Sequence, residues 1–252
     1  MNEFVLAEQN KDVLEIILNR TAKKNALTLS MYEQLTQLLD SASENSEINV
    51  VLIRAEGTSF CAGNDIQDFI SVGDGADAIK IIIGFLHQLA ECKKPIIAAV
   101  QGNAVGIGST MLLHCDLVVA ADDLNCQMPF VKLGLIPEGG STLLFPQMVS
   151  HRQAFEMMVE GVPFDAEKAQ EIGLINQIVT CDILLKCARA RAERLARLPS
   201  QSVQTSKMLM KKAYLQQLHQ VMDEEGTLFY ERLSSVEAQQ AFMQFLQNKP
   251  AR

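Results

Sequence analysis

The sequence predicts an α/β fold. Two features carry that expectation: short β-branched runs alternate with helical patterns through the first two thirds of the chain, and beyond about residue 180 the strand signals stop. "VLEIIL" (13–18), "VVLIR" (50–54), "IIAAV" (96–100) and "LVVAA" (117–121) are bounded by turn or charged residues and read as buried strands. After the first of them, Leu29, Tyr32, Leu35, Leu38, Leu39 and Ala42 keep helical spacing, and the Ser30–Glu33 pair resembles a capping box. A second helix is expected over much of 76–92, and a third starting within "NAVGIGSTMLLHC". "RLPSQSV" (197–203) is the best internal boundary, with helices expected from about 203 to 247. There Leu215, Leu218, Met222, Leu228, Phe229 and Leu233 supply more apolar surface than a helical tail buries alone, so the segment must pack on the core, on another subunit, or on both.

Composition narrows the function. A chain of 252 residues with 48% hydrophobic content can build a substantial core as one large domain or a main domain with an appendage. A net charge of −8 argues against nucleic acid as a partner, since that footprint needs a basic face. The local pairs Lys23–Lys24, Lys93–Lys94 and Lys211–Lys212 read first as solvated surface, although any of them could meet a phosphate on a small ligand. Six cysteines form no C-x-x-C pair and have no histidine at zinc-finger spacing; free thiols in a reducing compartment are expected. With no signal-peptide pattern, no apolar run of membrane-spanning length and no peroxisomal address in "NKPAR", the expected location is cytoplasmic, with no membrane partner.

Three glycine-bearing stretches are candidates for a site. "GTSFCAGNDI" (57–66) follows one strand and "QGNAVGIGST" (101–110) follows another, each exposing backbone N–H groups that a ligand carbonyl can approach. Each alone is more often a tight turn. Together they offer two donors from separate strand ends, which is what an oxyanion hole requires. In the third, "LGLIPEGGST" (133–142), Pro137 and Glu138 fit a helix start, or else Glu138 points at something that the glycines allow to come close. Other chemistries are weaker. The glycines of "GNAVGIG" do not give G-x-G-x-x-G, no Walker lysine follows either loop, and no G-x-S-x-G is present. His114, Cys115 and Asp116 are adjacent and read as packing, and Asp65 with Asp68 reads as a loop-to-helix cap; no metal site is expected.

The ordered series "NRTAKKNALT", "SFCAGNDI", "QGNAVGIGSTMLLHCDLVVAADD", "MPFVKLGLIPEGGSTLLFPQMV" and "AQEIGLINQIV" resembles the crotonase superfamily, the enoyl-CoA hydratase and isomerase fold, over essentially the whole chain. Thr21 stands where the family's N-terminal motif usually has proline. The resemblance implies a spiral of ββα units: a core with the acyl-CoA site over 1–197, and a helical region over 198–252 used for contacts in a homotrimer or dimer of trimers. It implies an acyl-CoA thioester as substrate, no separate cofactor, and an oxyanion hole made by the N–H groups of Asn64 and Ile107. Position 107 is usually glycine in the family, so the isoleucine side chain must turn away from the thioester. Lys23, Lys24, Ala26, Ala62, Gly63, Asp65, Ile66, Gly106 and Phe130 are the implied substrate-binding positions.

The departures from the family pattern matter most. Hydratases use two glutamates at positions that here read Thr110 and Phe130, and mitochondrial-type isomerases keep the second of them. The chain resembles more closely the 3,2-enoyl-CoA isomerases of peroxisomal type and their bacterial relatives, which share "AGND", "PF" and "PEG". In that branch the single base would be Glu138. The alternatives are another crotonase reaction, such as hydration or thioester hydrolysis, and a non-catalytic acyl-CoA binder; a glutamate retained in the glycine turn argues against the last.

Overall fold

The computed structural model describes residues 4–66 and 75–247. Among these, a large sheet has the strand order β1 (Val5–Asn10), β2 (Val13–Leu18), β3 (Val50–Ala55), β4 (Ile96–Val100), β6 (Leu117–Ala121) and β9 (Gln177–Val179). β1 and β2 form an antiparallel hairpin, and the remaining pairs are parallel. A smaller sheet joins β5 (Asn103–Val105), β7 (Asn125–Gln127) and β8 (Phe164–Asp165). The four expected strands are β2, β3, β4 and β6. Every residue of β2, β3 and β4 is buried, because both faces of the sheet are covered; hence the continuous apolar runs.

Alternation along the strands sorts their side chains onto two faces. Leu14, Ile16, Val51, Ile53, Ala98 and Val118 face the main core, where α1 (Leu29–Glu44) and α2 (Gly75–Glu91) pack. Val13, Val50, Leu52, Ile97, Ala99 and Val119 face the other way and are covered by Leu184, Ala188, Ala192 and Ala196 of α7 (Leu184–Ala196). Their spacing of four residues puts one small-residue stripe of that helix against the sheet.

The strand–strand–helix unit repeats. β4 leads into β5 and the short helix α3 (Ile107–Thr110), and β6 leads into β7 and then α4 (Ser141–Met148). The segment after β3 joins the same layer through a parallel bridge from Cys61 to Ala104. α5 (His151–Met158) and α6 (Ala166–Glu171) complete the central part, and α8 (Ser200–Lys212), α9 (Leu215–Leu233) and α10 (Val236–Gln247) form a C-terminal helical region. This is the crotonase-like arrangement of repeated ββα units. No helix among the described residues is long and apolar enough to cross a membrane.

Several local expectations change. The N-cap of α1 is Thr28, whose Oγ1 accepts from Met31 N–H, so Ser30 and Glu33 make no capping box. α4 begins at Ser141 behind Gly140, which leaves Pro137 and Glu138 outside the helix and removes the helix-start reading. The C-terminal helices begin at Ser200 rather than 203 because Pro199 sits at the cap. In α9, Leu218, Met222 and Phe229 enter the core whereas Leu228 stays exposed. Lys94 and Lys211 are not solvated surface: Lys94 is buried, and burial pushes Lys211, which donates to Ala90 O, down to about 8. All six cysteines are free, and burial pushes Cys61, Cys115 and Cys126 up to about 12.

Candidate active site

The register of the small layer brings the first two glycine loops together. Cys61 pairs with Ala104, and a Cβ on Gly106 would lie 4.0 Å from Gly63 Cα, so the residues just before Asn64 and Ile107 are neighbours. Close approach is possible only at glycine: a Cβ on Gly63 would lie 3.2 Å from Val105 O, and one on Gly108 would lie 2.5 Å from Cys61 O. Leu27 N–H donates to Gly63 O and Asp65 N–H to Leu27 O, so in this parallel bridge the Asn64 N–H points away from residue 27. Ile107 N–H is the first of α3, where the helix supplies no acceptor. The Ile107 side chain is 1% exposed and packs within the main core.

Asn64 is also held by its side chain. Tyr32, fully buried on α1, donates its hydroxyl to Asn64 Oδ1. Burial pushes the Tyr32 phenol well above its ordinary value, and the charges of Glu138 and Cys61 push it further, which puts all three groups in one electrostatic neighbourhood.

Glu138 lies in the third stretch and is 4% exposed. Thr110, one turn beyond Ile107 on α3, donates its hydroxyl to Glu138 Oε1 at 2.5 Å. Oε2 is buried without a hydrogen-bond partner among the described residues. Burial pushes the Glu138 carboxyl up to about 8; the Thr110 hydrogen bond opposes the rise and the charge of Glu225 adds to it. The turn itself needs both glycines, with φ of +75° at Gly139 and +69° at Gly140. His114 Nε2 meets Gly139 O at 2.8 Å, and burial pushes His114 down to about 4, so the imidazole is neutral and donates. Gly140 N–H donates to Glu225 Oε2 on α9.

The remaining predicted positions fall in two groups. Phe130, buried, lies over Gly106, whose added Cβ would sit 3.8 Å from its ring. Lys23 and Lys24 are exposed on the 3-10 turn Thr21–Lys23 and its left-handed cap. Ala26, Ala62, Gly63, Asp65 and Ile66 follow as one strip, bound together by Ala62 N–H to Lys24 O and by the Leu27 bridge to Asn64. Asp65 pairs with Arg20 at 2.6 Å, and Arg20 also donates to Ala26 O. Asp65 therefore braces the strip. The expected Asp65–Asp68 cap lies partly outside the described residues, since Asp68 is not among them.

Sequence reasoning missed Arg20, Tyr32, His114 and Glu225 in these roles. Their partners are 25 to 85 residues away, apart from the local contacts of Arg20, so no spacing pattern announces them. His114 was legible only as a packed residue. The description holds, but its ring nitrogen also grips the Glu138 turn.

Backbone N–H groups at glycine-bearing strand ends and a buried carboxyl are the kinds of group that can stabilise a developing oxyanion and move a proton. Comparison with known proteins agrees with that architecture. The family model "Enoyl-CoA hydratase/isomerase" matches residues 8–252. The 1,2-epoxyphenylacetyl-CoA isomerase of Escherichia coli (strain K12) is 33% identical over 240 residues, covering 93% of this chain and 91% of that protein. Enoyl-CoA delta isomerase 2 of Rattus norvegicus is 32% identical over 251 residues, 98% of this chain; the chain spans only 64% of the rat protein's length. Among solved structures, Pseudomonas aeruginosa OdaA superposes with a TM-score of 0.94 at 39% identity, covering 98% of this chain and 100% of that one. The chain belongs to the enoyl-CoA hydratase/isomerase family of the crotonase superfamily.

Proposed function

We propose that the protein is a 3,2-enoyl-CoA isomerase in which Glu138 is the single acid–base group. The observation that carries this reading is the buried Glu138 carboxyl with one unpartnered oxygen, in a site whose other two candidate carboxylate positions hold Thr110 and Phe130. In the reaction, ionised Glu138 takes a proton from C2 of the 3-enoyl thioester. The C–H electron pair moves into the thioester, and the N–H groups of Asn64 and Ile107 bind the resulting oxyanion. Each well-aimed donor stabilises such an oxyanion by roughly 2.7 to 4 kcal/mol. Glu138 then returns the proton at C4, and the double bond comes to rest between C2 and C3. One base suffices because both carbons belong to one extended enolate.

Thr110 and Phe130 count against hydration, since neither can activate water as a general base. Phe130, Leu135 and Pro137 are buried, and Glu138 itself is 4% exposed, which favours a dry site. The isomerase names of the E. coli and rat relatives support the same class of chemistry. Lys23 and Lys24 would meet the nucleotide phosphates of CoA, and the Ala62–Ile66 strip would carry its pantetheine. Leu198, Met208, Leu209 and Met210 are exposed at 49 to 77% and would be covered in a homotrimer or dimer of trimers in the cytoplasm. On this reading the core with the acyl-CoA site spans 1–197 and the oligomerising helices 198–252.

The test compares wild type with Glu138→Gln for conversion of a 3-enoyl-CoA to the 2-enoyl isomer, with hydration of the product followed in parallel. A loss of isomerisation by at least about a thousandfold in the variant, with little hydration by either protein, is expected. Equal isomerisation by both proteins refutes the assignment.

A further inference from the structure

The face that α9 presents to the core reads Leu218, Met222, Glu225 and Phe229, all buried. A carboxylate in the middle of an apolar stripe has a desolvation cost that packing alone does not explain. Glu225 is 4% exposed, and its polar contacts all run to one short segment. Oε2 accepts Gly140 N–H at 2.6 Å, and Oε1 accepts Thr142 N–H at 3.0 Å and the Thr142 hydroxyl at 2.6 Å. All three partners are donors, which suits the ionised carboxylate. Leu218 of the same stripe closes over Gly140, where an added methyl would lie 2.2 Å from its Cδ1.

Gly140 is two residues from Glu138. From this contact we infer that Glu225 is a positioning residue for the reacting carboxyl, through which the C-terminal helical region fixes the Glu138 turn; the inference rests on the one-base reading above. The turn has three anchors from two directions. α3 and the 3-10 turn after it supply Thr110 to the carboxyl and His114 to Gly139 O, and α9 supplies Glu225 to Gly140 N–H. Without the third anchor, the exit of the turn at the start of α4 keeps its backbone bonds to Glu138 O and Gly140 O and the Leu218 contact but loses its side-chain hydrogen bonds from α9.

The contact also has an electrostatic side. The charge of Glu225 adds to burial in raising Glu138. The other groups facing Glu138 are Thr110 on α3, Tyr32 on α1 and Cys61 after β3, and none of these carries charge at neutral pH. His114, behind Gly139, is neutral by burial and by the nearby charges of Lys211 and Lys207. Around Glu225 itself the charged neighbour is Glu224, while α2 offers Ile79 and Ile83 against Gly226. Neutralising Glu225 therefore lowers the proton affinity of Glu138, a change that a purely structural cap would not produce.

The test is Glu225→Gln with two readouts. The first is the slope with pH of the unfolding gap between Glu138 and Glu138→Gln proteins, measured with and without the Glu225 change; the midpoint of its fall to zero at high pH reports Glu138 in the folded protein and needs no turnover. The expected shift is about one unit downward from near 8. The second is the kcat/KM profile, expected to move by the same amount, with kcat lowered about tenfold and KM changed less than about threefold. An unmoved midpoint overturns the inference whatever the reaction proves to be. A moved midpoint in a protein that isomerises nothing leaves the hold on Glu138 standing and overturns the one-base reading instead. If Glu225→Gln does not fold, Thr142→Val keeps the charge and removes one bond. It is expected to lower kcat about threefold without lowering the midpoint, and unchanged kcat overturns the inference.

Discussion

Glu138→Gln removes a carboxyl that the folded chain holds in its neutral form, and the consequence for stability can be worked from the structure. Burial lifts this group from 4.5 to about 8. The folded state therefore keeps a proton that the unfolded state has released between those two values. Stability changes with pH in proportion to the protons bound by the unfolded state minus those bound by the folded state, and that difference is negative here. Glu138 thus has its full stability below pH 4.5, loses it as pH rises toward 8, and loses no more above. The window of about 3.5 units at 1.36 kcal/mol each corresponds to about 5 kcal/mol; water penetration on local opening reduces it to roughly 3. Glutamine accepts the Thr110 hydroxyl in the same place but does not titrate. Urea unfolding of both proteins at one fixed protein concentration, from pH 4 to 9, is the assay, the fixed concentration guarding against subunit mass action. The glutamine protein should gain on wild type steadily between pH 5 and 8 and then run parallel to it. A gap that is flat across that range, or that closes with rising pH, refutes the claim that the carboxyl is buried and neutral.

Other consequences follow from the same groups. With ionisation near 8, about one tenth of Glu138 is ready as a base at pH 7, so kcat/KM should rise about tenfold from pH 7 to 9 and then level; a profile already flat at pH 6 contradicts this. Thr110→Val removes the hydrogen bond that favours the carboxylate, so that limb should move upward by about one unit, with about tenfold loss at pH 7 and recovery at high pH. Tyr32→Phe frees the Asn64 side chain and should lower kcat about ten- to a hundredfold with KM little changed, as steady-state kinetics would show; a change confined to KM would place Tyr32 in binding instead.

How much of this could be read from the sequence follows from what each signal depends on. β2, β3, β4 and β6 were legible because parallel strands buried on both faces must be continuous apolar runs. β1, with burial confined to its first residues, and the short β5, β7 and β8 lack that pattern. The glycine loops around Asn64 and Ile107 stood out because close backbone approach restricts residue choice at Gly63 and Gly108. The Glu138 turn stood out for the same reason, although Pro137 and Glu138 mimic a helix start and the two left-handed glycines delay the helix to Ser141. The anchors were not legible. Tyr32 keeps helical spacing as any core residue would, His114 reads as packing, and Glu225 carries no local mark; each acquires its role from a contact made only in three dimensions.

The most direct test of a one-base shuttle follows the proton itself. A 3-enoyl-CoA carrying deuterium at C2 is turned over in ordinary water, and the 2-enoyl product from the first turnovers is analysed for label at C4. Transfer by Glu138 in a dry site predicts that a substantial share of the deuterium reappears at C4, and that Glu138→Gln forms no labelled product at a comparable rate. Complete replacement by solvent hydrogen at C4 from the first turnover, or label transfer at the wild-type rate without Glu138, contradicts the account.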